Sequence, residues 1–353
     1  MKVTDEKILE ALKNVNDPEL GRSIVDLGMV DKIERDDGTV KITVKLTISG
    51  CPMKYKFDED IKSALMSVDG IKKVEVGFSS MNQQERDALT KKMTGQVKSD
   101  IFDDARVNNI IAIASGKGGV GKSTVTVNLA YALKNEGYSV GIIDSDVYGF
   151  SIPRMMGVKA LPTVIDETMI PVDKDGIKVI SMGFFLEEDQ AVLWRGPLLH
   201  KAVVQFLTQV YWDKLDFLLI DLPPGTGDVT LSISQTVKQA HLLVVTTPQP
   251  AASSVAQRVA ELSKKANFNL IGVIENMSYF IAPDGSKQYI FGDGGGKFLA
   301  DKMGTALLGQ IPLEQAIREG GDLGKPITDS KGDHASKEFK NIADKLIGML
   351  VKK

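Results

Sequence analysis

A glycine-rich segment before the middle of the chain has the residue types and spacing of a phosphate-binding loop. It reads Gly116-Lys117-Gly118-Gly119-Val120-Gly121-Lys122-Ser123, and Thr124 follows it. The glycines let successive backbone N–H groups turn toward phosphate oxygens. The ammonium group of Lys122 can neutralise phosphate charge, and the hydroxyl of Ser123 is a ligand that Mg2+ accepts. We therefore expect residues 116–124 to bind Mg-ATP.

The residues on either side of this loop supply the context that phosphate binding requires. An apolar run at 110–114 predicts a strand before the loop. The spacing of Val125, Leu129 and Leu133 predicts a helix after it, whose N-terminal dipole favours an anion. A glycine-rich turn without a ligand is the alternative interpretation, and the strand-loop-helix order argues against it.

Acidic residues follow two other predicted strands. Asp144 and Asp146 come after the run at 140–143, and Asp221 comes after the run at 217–220. In parallel sheets, ligands bind at the carboxyl ends of the strands, so these residues are expected beside the loop. We expect Asp221 to hold Mg2+ through water, Asp144 to share its outer shell, and Asp146 to orient or deprotonate the attacking water. The alternative for each residue alone is a turn or cap role.

A candidate contact to the adenine base follows a further strand. Asn276 lies in Glu275-Asn276-Met277-Ser278, just beyond the predicted strand 270–274. Its side-chain amide can pair with the edge of a base. A simple turn role is the alternative.

The second part of the chain has the pattern of an α/β protein. Short apolar strands alternate with amphipathic helices, which predicts a mostly parallel sheet covered by helices on both faces. The predicted strands are 110–114, 140–143, 179–182, 217–220, 242–246, 270–274 and 306–308. We place this P-loop domain at residues 105–353.

A small α+β domain precedes it at residues 1–79. The sequence predicts a helix after a Thr4 N-cap, an antiparallel hairpin around Asp37-Gly38, a second helix through Ile61 and Leu65, and a strand at 74–78. The polar segment 80–104 is interpreted as a linker that is partly helical.

Composition and charge limit the classes of partner. The 353 residues carry a net charge of -3, and 43% of them are hydrophobic. That charge gives no general attraction to nucleic acid or to an anionic membrane. The N-terminus lacks the apolar core of a signal peptide, and no apolar run approaches the about 20 residues of a membrane span. We expect a cytoplasmic protein without stable membrane association, whose last helix, around Phe339 and Leu346, packs on the core rather than on a membrane surface.

Several segments resemble the Mrp/ApbC group of P-loop ATPases, which are iron–sulfur cluster carrier or assembly proteins. Besides the loop, the matching segments are Asp144–Gly149, Trp194–Pro197, Asp221–Asp228 and Glu275–Phe280. The first domain, with Asp17-Pro18-Glu19 and Ser49-Gly50-Cys51-Pro52, is similar to a domain that occurs alone among iron–sulfur assembly factors. The resemblance covers nearly the whole chain and implies a slow ATPase that works as a homodimer with iron–sulfur apoproteins or assembly factors.

The resemblance also gives Lys117 a role. It is similar to the signature lysine of deviant Walker A ATPases, which reaches the phosphates of the partner protomer in a nucleotide sandwich dimer. Lys117 is then catalytic, together with Lys122 and Asp146. A solvated lysine is the alternative.

One departure from the family concerns the cluster ligands. Cluster-carrying members have a Cys-x-x-Cys after the Asn-Met-Ser segment, and here Ala282 and Gly285 stand at those positions. Cys51 is the single cysteine, so a symmetric dimer has two thiolates where an ordinary cluster needs four. The sequence thus predicts that the usual bridged cluster does not form, and a stably bound iron–sulfur cluster is doubtful.

Cys51 itself allows two interpretations. Pro52 suits a first helical turn, so the thiol would lie near a helix N-terminus, where the dipole favours thiolate and hence a reactive or iron-ligating role. A small residue packed at a strand-to-helix corner is the alternative.

Two functions therefore remain open from the sequence. The first is an ATP-hydrolysing homodimer in iron–sulfur cluster assembly or transfer. The second is an ATP-gated protein-interaction switch that binds no cluster, and the missing Cys-x-x-Cys favours it. A membrane or nucleoid positioning ATPase is disfavoured by the first domain and the net charge.

Overall fold

The chain forms two compact units in a computed structural model. The structure describes residues 3–17, 22–46, 54–82, 84–85, 88–89, 106–146, 149–165, 168–185, 196–225, 240–249, 269–327 and 334–351. The first unit comprises Met1–Lys98 and Thr163–Ile170, and the second comprises Ser99–Pro162 and Pro171–Lys353.

The first unit contains a three-stranded sheet and two helices. Helix α1 (Asp5–Leu12) begins after Thr4, whose side chain accepts a hydrogen bond from the Lys7 backbone N–H. Strands β1 (Val30–Asp36) and β2 (Thr39–Leu46) form the predicted antiparallel hairpin. Helix α2 (Lys54–Met66) leads to β3 (Lys73–Ser80), which pairs with β2 in parallel. Both helices bury apolar side chains: Ile8, Leu12, Phe57, Ile61 and Leu65.

Part of the segment interpreted as a linker contributes to the first unit. Met81 and Leu89 are buried. Lys45 forms ion pairs with Asp31 at 2.7 Å and with Glu85 at 2.5 Å. These residues line a cavity of about 340 Å³. The first unit therefore continues past residue 79, because apolar residues beyond that point complete its packing.

The second unit is built on an eight-stranded sheet. In chain order its elements are β4 (Val107–Ala114), α3 (Lys122–Asn135), β5 (Val140–Asp144), α4 (Ile152–Met155), β8 (Val172–Lys174), β9 (Ile177–Ser181), α5 (Gly196–Thr208), β10 (Leu215–Asp221), β11 (His241–Thr246), β12 (Asn269–Glu275), β13 (Phe280–Ile281), β14 (Lys287–Gln288), α6 (Gly295–Met303), β15 (Leu307–Gln310), α7 (Gln315–Leu323) and α8 (His334–Leu350). The short antiparallel strands β6 (Thr163–Ile165) and β7 (Thr168–Ile170) belong to the first unit.

The sheet has the predicted parallel topology. Its strand order is β15-β12-β11-β4-β10-β5-β9-β8, and the neighbours pair in parallel except β8, which lies antiparallel to β9 at one edge. The inner strands are almost completely buried. All seven predicted strands are present, and the α/β fold class is confirmed.

Helix α8 packs on the core as predicted. It buries Phe339, Ile342 and Leu346 in the cluster that also contains α3 and β15 side chains. Among the helices that the structure describes, none has both the length and the apolar character of a membrane span.

Candidate functional site

The loop between β4 and α3 has the backbone conformation that its glycines predict. Gly119 and Gly121 have φ angles of 75° and 77°, in the left-handed region, and Gly121 directly precedes α3. A Cβ atom at Gly121 would overlap with Nδ2 of Asn276. Gly121 is therefore required both for the turn and for the close approach of Asn276.

Asp221, at the end of β10, is the centre of a buried cluster. Its Oδ1 lies 2.7 Å from Nζ of Lys122, and its Oδ2 accepts a hydrogen bond of 2.6 Å from the Ser123 hydroxyl. The hydroxyl of Thr126 lies 2.8 Å from Oδ1. Asp221 is fully buried, and Lys122 is 6% exposed. The predicted phosphate lysine, magnesium ligand and strand-end carboxylate thus lie in direct contact.

Asp144 lies at the end of the neighbouring strand, in register with Asp221. Its carboxylate accepts hydrogen bonds from the Ser181 hydroxyl at 3.0 Å and from the backbone N–H groups of Asp146 and Ile152. Burial, and then the charge of Asp221, raise the pKa of Asp144 to about 7. Two carboxylates that repel each other in a buried site suit a divalent cation, whose charge would favour their ionised forms.

Asp146 lies two residues beyond the end of β5. It is 8% exposed, and its Oδ1 accepts a hydrogen bond from the Gly149 backbone N–H at 3.1 Å. The turn that this bond closes is the structural role given above as the alternative for Asp146. The position at the carboxyl edge of the sheet is the predicted one.

Lys117 contacts a residue that the sequence did not indicate. Its Nζ donates a hydrogen bond of 2.5 Å to Oε1 of Gln249, and the Thr247 hydroxyl lies 3.2 Å from the same oxygen. Gln249 follows strand β11, and the residues Thr247–Gln249 include no charged side chain. The sequence signal that could have indicated Gln249 was its position just after a predicted strand.

Asn276 joins the phosphate loop to a neighbouring cavity. Its Nδ2 donates to the Val120 backbone oxygen at 2.9 Å, so its Oδ1 remains as a hydrogen-bond acceptor. Asn276, Thr124 and Leu313 line a cavity of about 340 Å³. An acceptor at the wall of a cavity next to the loop suits the amino group of adenine.

Two further carboxylates of this region were not predicted. Glu275 is fully buried and accepts hydrogen bonds from the Ser278 hydroxyl, the Gly296 backbone N–H and Gln310. It fixes the end of β12 against α6 and β15. Glu314 lines the cavity, and its Oε1 is buried without a partner among the residues that the structure describes.

The positions of the missing cysteines form a tight turn. Ala282 and Gly285 lie between β13 and β14, the Gly285 N–H donates to the Ala282 carbonyl at 2.8 Å, and Gly285 has a φ of 82°. Neither side chain can ligate iron. Within the described ranges, no group of three or more His, Cys, Asp or Glu residues could hold a metal ion. Cys51 lies outside the described residues, as do Trp194 and Arg195.

Sequence comparison assigns both units to known families. A model of the family described as NUBPL iron-transfer P-loop NTPase matches residues 106–347. The chain belongs to this family. A second model, of an iron–sulfur cluster assembly protein family, matches residues 5–78.

Relatives of the family align over almost the whole chain. The iron–sulfur cluster carrier protein of Mycobacterium bovis is 45% identical over 350 residues, covering 96% of this chain and 92% of the relative. The protein of the same description from Synechocystis is 42% identical and covers 98% of both chains. A nucleotide-binding protein of Archaeoglobus fulgidus in complex with ADP is 36% identical with a TM-score of 0.60, over 69% of this chain and 97% of that one. The P-loop NTPase fold of the second unit is thereby shown.

Proposed function

We propose that the protein is a homodimer that binds and slowly hydrolyses ATP and that acts in iron–sulfur cluster assembly or transfer to apoproteins. The observation that supports the ATPase most directly is the contact of Lys122, Ser123 and Asp221 at the carboxyl edge of the sheet. A cytoplasmic location accords with this role. The proposed domain bounds are 1–79, 80–104 and 105–353, with Met81, Glu85 and Leu89 of the middle segment belonging to the first compact unit.

The chemistry assigned to each residue follows from the positions described above. Lys122 would neutralise the β- and γ-phosphates and Ser123 would supply a hydroxyl to Mg2+. Asp221 would hold Mg2+ through water, and Asp144 would share its outer shell. Magnesium, when bound, neutralises phosphate charge. Asp146 orients the attacking water and accepts its proton while the bond from the γ-phosphorus to the β–γ bridging oxygen breaks. The products are ADP and phosphate.

The homodimer is proposed from Lys117. In the structure its ammonium group contacts Gln249 of the same chain. A cation supplied by the partner protomer would stabilise the charge that develops on the transferred phosphoryl group. Lys117 would leave Gln249 to do so.

The iron–sulfur part of the proposal is supported by the relatives named as cluster carriers and by the assembly-type first domain. Ala282 and Gly285 rule out a cluster held at the Cys-x-x-Cys position. Cys51 is the thiol that remains. Ala282 and Gly285 favour the alternative function, an ATP-gated switch that binds a protein partner and no cluster.

The ATPase is tested with two substitutions and a control. Lys122→Ala should abolish nucleotide binding or turnover, because the buried cation at the phosphates is removed. Asp146→Ala should bind ATP and fail to hydrolyse it. Lys159→Ala, at an exposed lysine, should behave as wild type. Equal phosphate release by wild type and either site variant would refute the assignment.

The cluster function is tested by anaerobic reconstitution with iron and sulfide, followed by absorption spectra, iron counting and transfer to an apoprotein. The proposal expects a transferable cluster or iron species in wild type and its loss in Cys51→Ala. The double variant Ala282→Cys with Gly285→Cys restores the missing pair and serves as a positive control. If wild type and Cys51→Ala both transfer nothing, the carrier function is rejected in favour of the switch.

A further inference from the structure

Thr126 makes a contact in the nucleotide site that the sequence motifs do not assign. It lies four residues after Lys122, one helical turn further along α3, and it is fully buried. Its hydroxyl lies 2.8 Å from Oδ1 of Asp221 and 3.0 Å from the Lys122 backbone oxygen. A hydroxyl has one proton to donate, and the shorter distance and the charge favour the carboxylate as its acceptor.

Thr126 differs from Lys122 and Ser123, whose side chains also contact Asp221. If Lys122 binds phosphates and Ser123 binds Mg2+, each gives up all or part of its contact with this carboxylate. Thr126 lies one turn further along the helix and is fully buried, so we expect its hydroxyl to bind neither ligand. It is the contact of the three that can persist.

A buried carboxylate that loses its donors is strongly destabilised unless other groups replace them. Water molecules on Mg2+ can replace Lys122 and Ser123 only if Asp221 stays where it is. The Ser145 hydroxyl and the Ser145 backbone N–H hold the Asp221 main-chain oxygen, and thus fix its backbone but not its side chain.

We propose that Thr126 is a positioning residue that holds the Asp221 carboxylate in place while Lys122 and Ser123 transfer from it to the phosphates and to magnesium. This inference rests on the Mg-ATP site proposed above. It predicts that removing the Thr126 hydroxyl weakens the binding of Mg2+ in the presence of nucleotide more than it weakens the binding of nucleotide alone.

The test compares Thr126→Val with Thr126→Ser. Valine keeps the shape of threonine and removes the hydroxyl, whereas serine keeps the hydroxyl and removes the methyl group. Affinity for a fluorescent ADP analogue is measured in EDTA and in a Mg2+ titration, with Mn2+ binding followed by electron paramagnetic resonance. Thr126→Val should weaken the apparent affinity for the divalent ion about tenfold, as expected for a hydrogen bond to a charged group. Its affinity for the nucleotide in EDTA should stay within about twofold of wild type, and Thr126→Ser should restore the ion affinity.

Each other outcome has a definite meaning. Wild-type ion affinity in Thr126→Val, or the same loss in both variants, overturns the inference while leaving the Mg-ATP site standing. Equal losses with and without Mg2+ indicate damage to the whole loop and also overturn it. If Thr126→Val does not fold, Thr126→Ala is a second variant without the hydroxyl and must show the same selective loss. Failure of wild type to bind nucleotide with or without Mg2+ refutes the proposed function itself, and the inference with it.

Discussion

At the scale of single residues, the site combines carboxylates that repel each other with a lysine that pairs with one of them. Asp144 and Asp221 lie at the ends of adjacent strands, and Lys122 contacts Asp221. Among the residues that the structure describes, the donors to Asp144 are neutral, and burial together with the charge of Asp221 makes its charged form costly. Its ionisation is therefore linked to the stability of the fold.

The pH dependence of that stability can be predicted. The pKa of Asp144 is raised from 3.8 to about 7, so the folded protein binds more protons than the unfolded chain between these values. In this window the contribution of Asp144 to the free energy of unfolding falls as the pH rises. Asp144→Asn removes the charge, and in EDTA it should stabilise the protein at pH 8 by at least about 1 kcal/mol.

The measurement is urea unfolding of wild type and Asp144→Asn from pH 5 to 8. The difference in the free energy of unfolding between the two proteins should shrink toward pH 5, where wild-type Asp144 is protonated. A difference that does not change with pH would contradict the linkage. Added Mg2+ should reduce the advantage of the variant, because a bound cation stabilises the carboxylate.

At the scale of elements, the start of α3 depends on one glycine for two reasons. Gly121 has a left-handed φ, and its missing side chain leaves room for Asn276. Gly137, just after the same helix, also has a left-handed φ of 90°, and no atom lies within 4 Å of a Cβ atom there. Comparing alanine at Gly137 with alanine at Gly121 therefore separates the cost of the left-handed backbone conformation from the cost of the overlap with Asn276.

Alanine at these two glycines should therefore have unequal effects. Gly137→Ala should destabilise the protein by about 1–2 kcal/mol, the cost of a left-handed conformation. Gly121→Ala should cost more and should also weaken nucleotide binding, because it displaces Asn276. Chemical unfolding and nucleotide titration measure the two effects, and equal stability losses would show that the overlap with Asn276 is relieved at no cost.

The sequence predicted those elements whose signal is local. The loop could be predicted because its conformation demands glycine at fixed positions, and the strand-end aspartates because parallel strands end at a common edge. The contact of Thr126 with Asp221 could not be predicted, because a threonine within a helical sequence pattern looks the same whether or not a carboxylate from a strand faces it. Gln249 was missed for the same reason, since its partner is 132 residues away.

The strands that the sequence missed are short or lie at edges. Strands β6, β7 and β8 have three residues each, too few for a periodic pattern. The burial of Met81 and Leu89 depends on residues far away in the chain, so the polar composition around them suggested a linker.

At the scale of the whole molecule, the missing cysteine pair leaves the P-loop as the functional feature that the second unit shares with its family. In the proposed homodimer, assembly depends on Lys117. Lys117→Ala should bind Mg-ATP with nearly unchanged affinity and remain monomeric, whereas wild type should dimerise with ATP. Analytical ultracentrifugation with a non-hydrolysable ATP analogue measures this difference. A variant that dimerises as well as wild type would remove the basis for assigning Lys117 to the partner's phosphates.

The contact between Lys117 and Gln249 differs in kind from that between Lys122 and Asp221. Gln249 is neutral, so when Lys117 leaves it, no unpaired charge remains behind in the chain. When Lys122 leaves Asp221, an anion remains that only another cation can compensate. The two lysines of one loop are thus held by a weak and a strong restraint. In the proposed homodimer, Lys117 can pass from Gln249 to the partner's phosphates without leaving an unpaired charge, whereas the departure of Lys122 leaves a charge on Asp221 to be compensated.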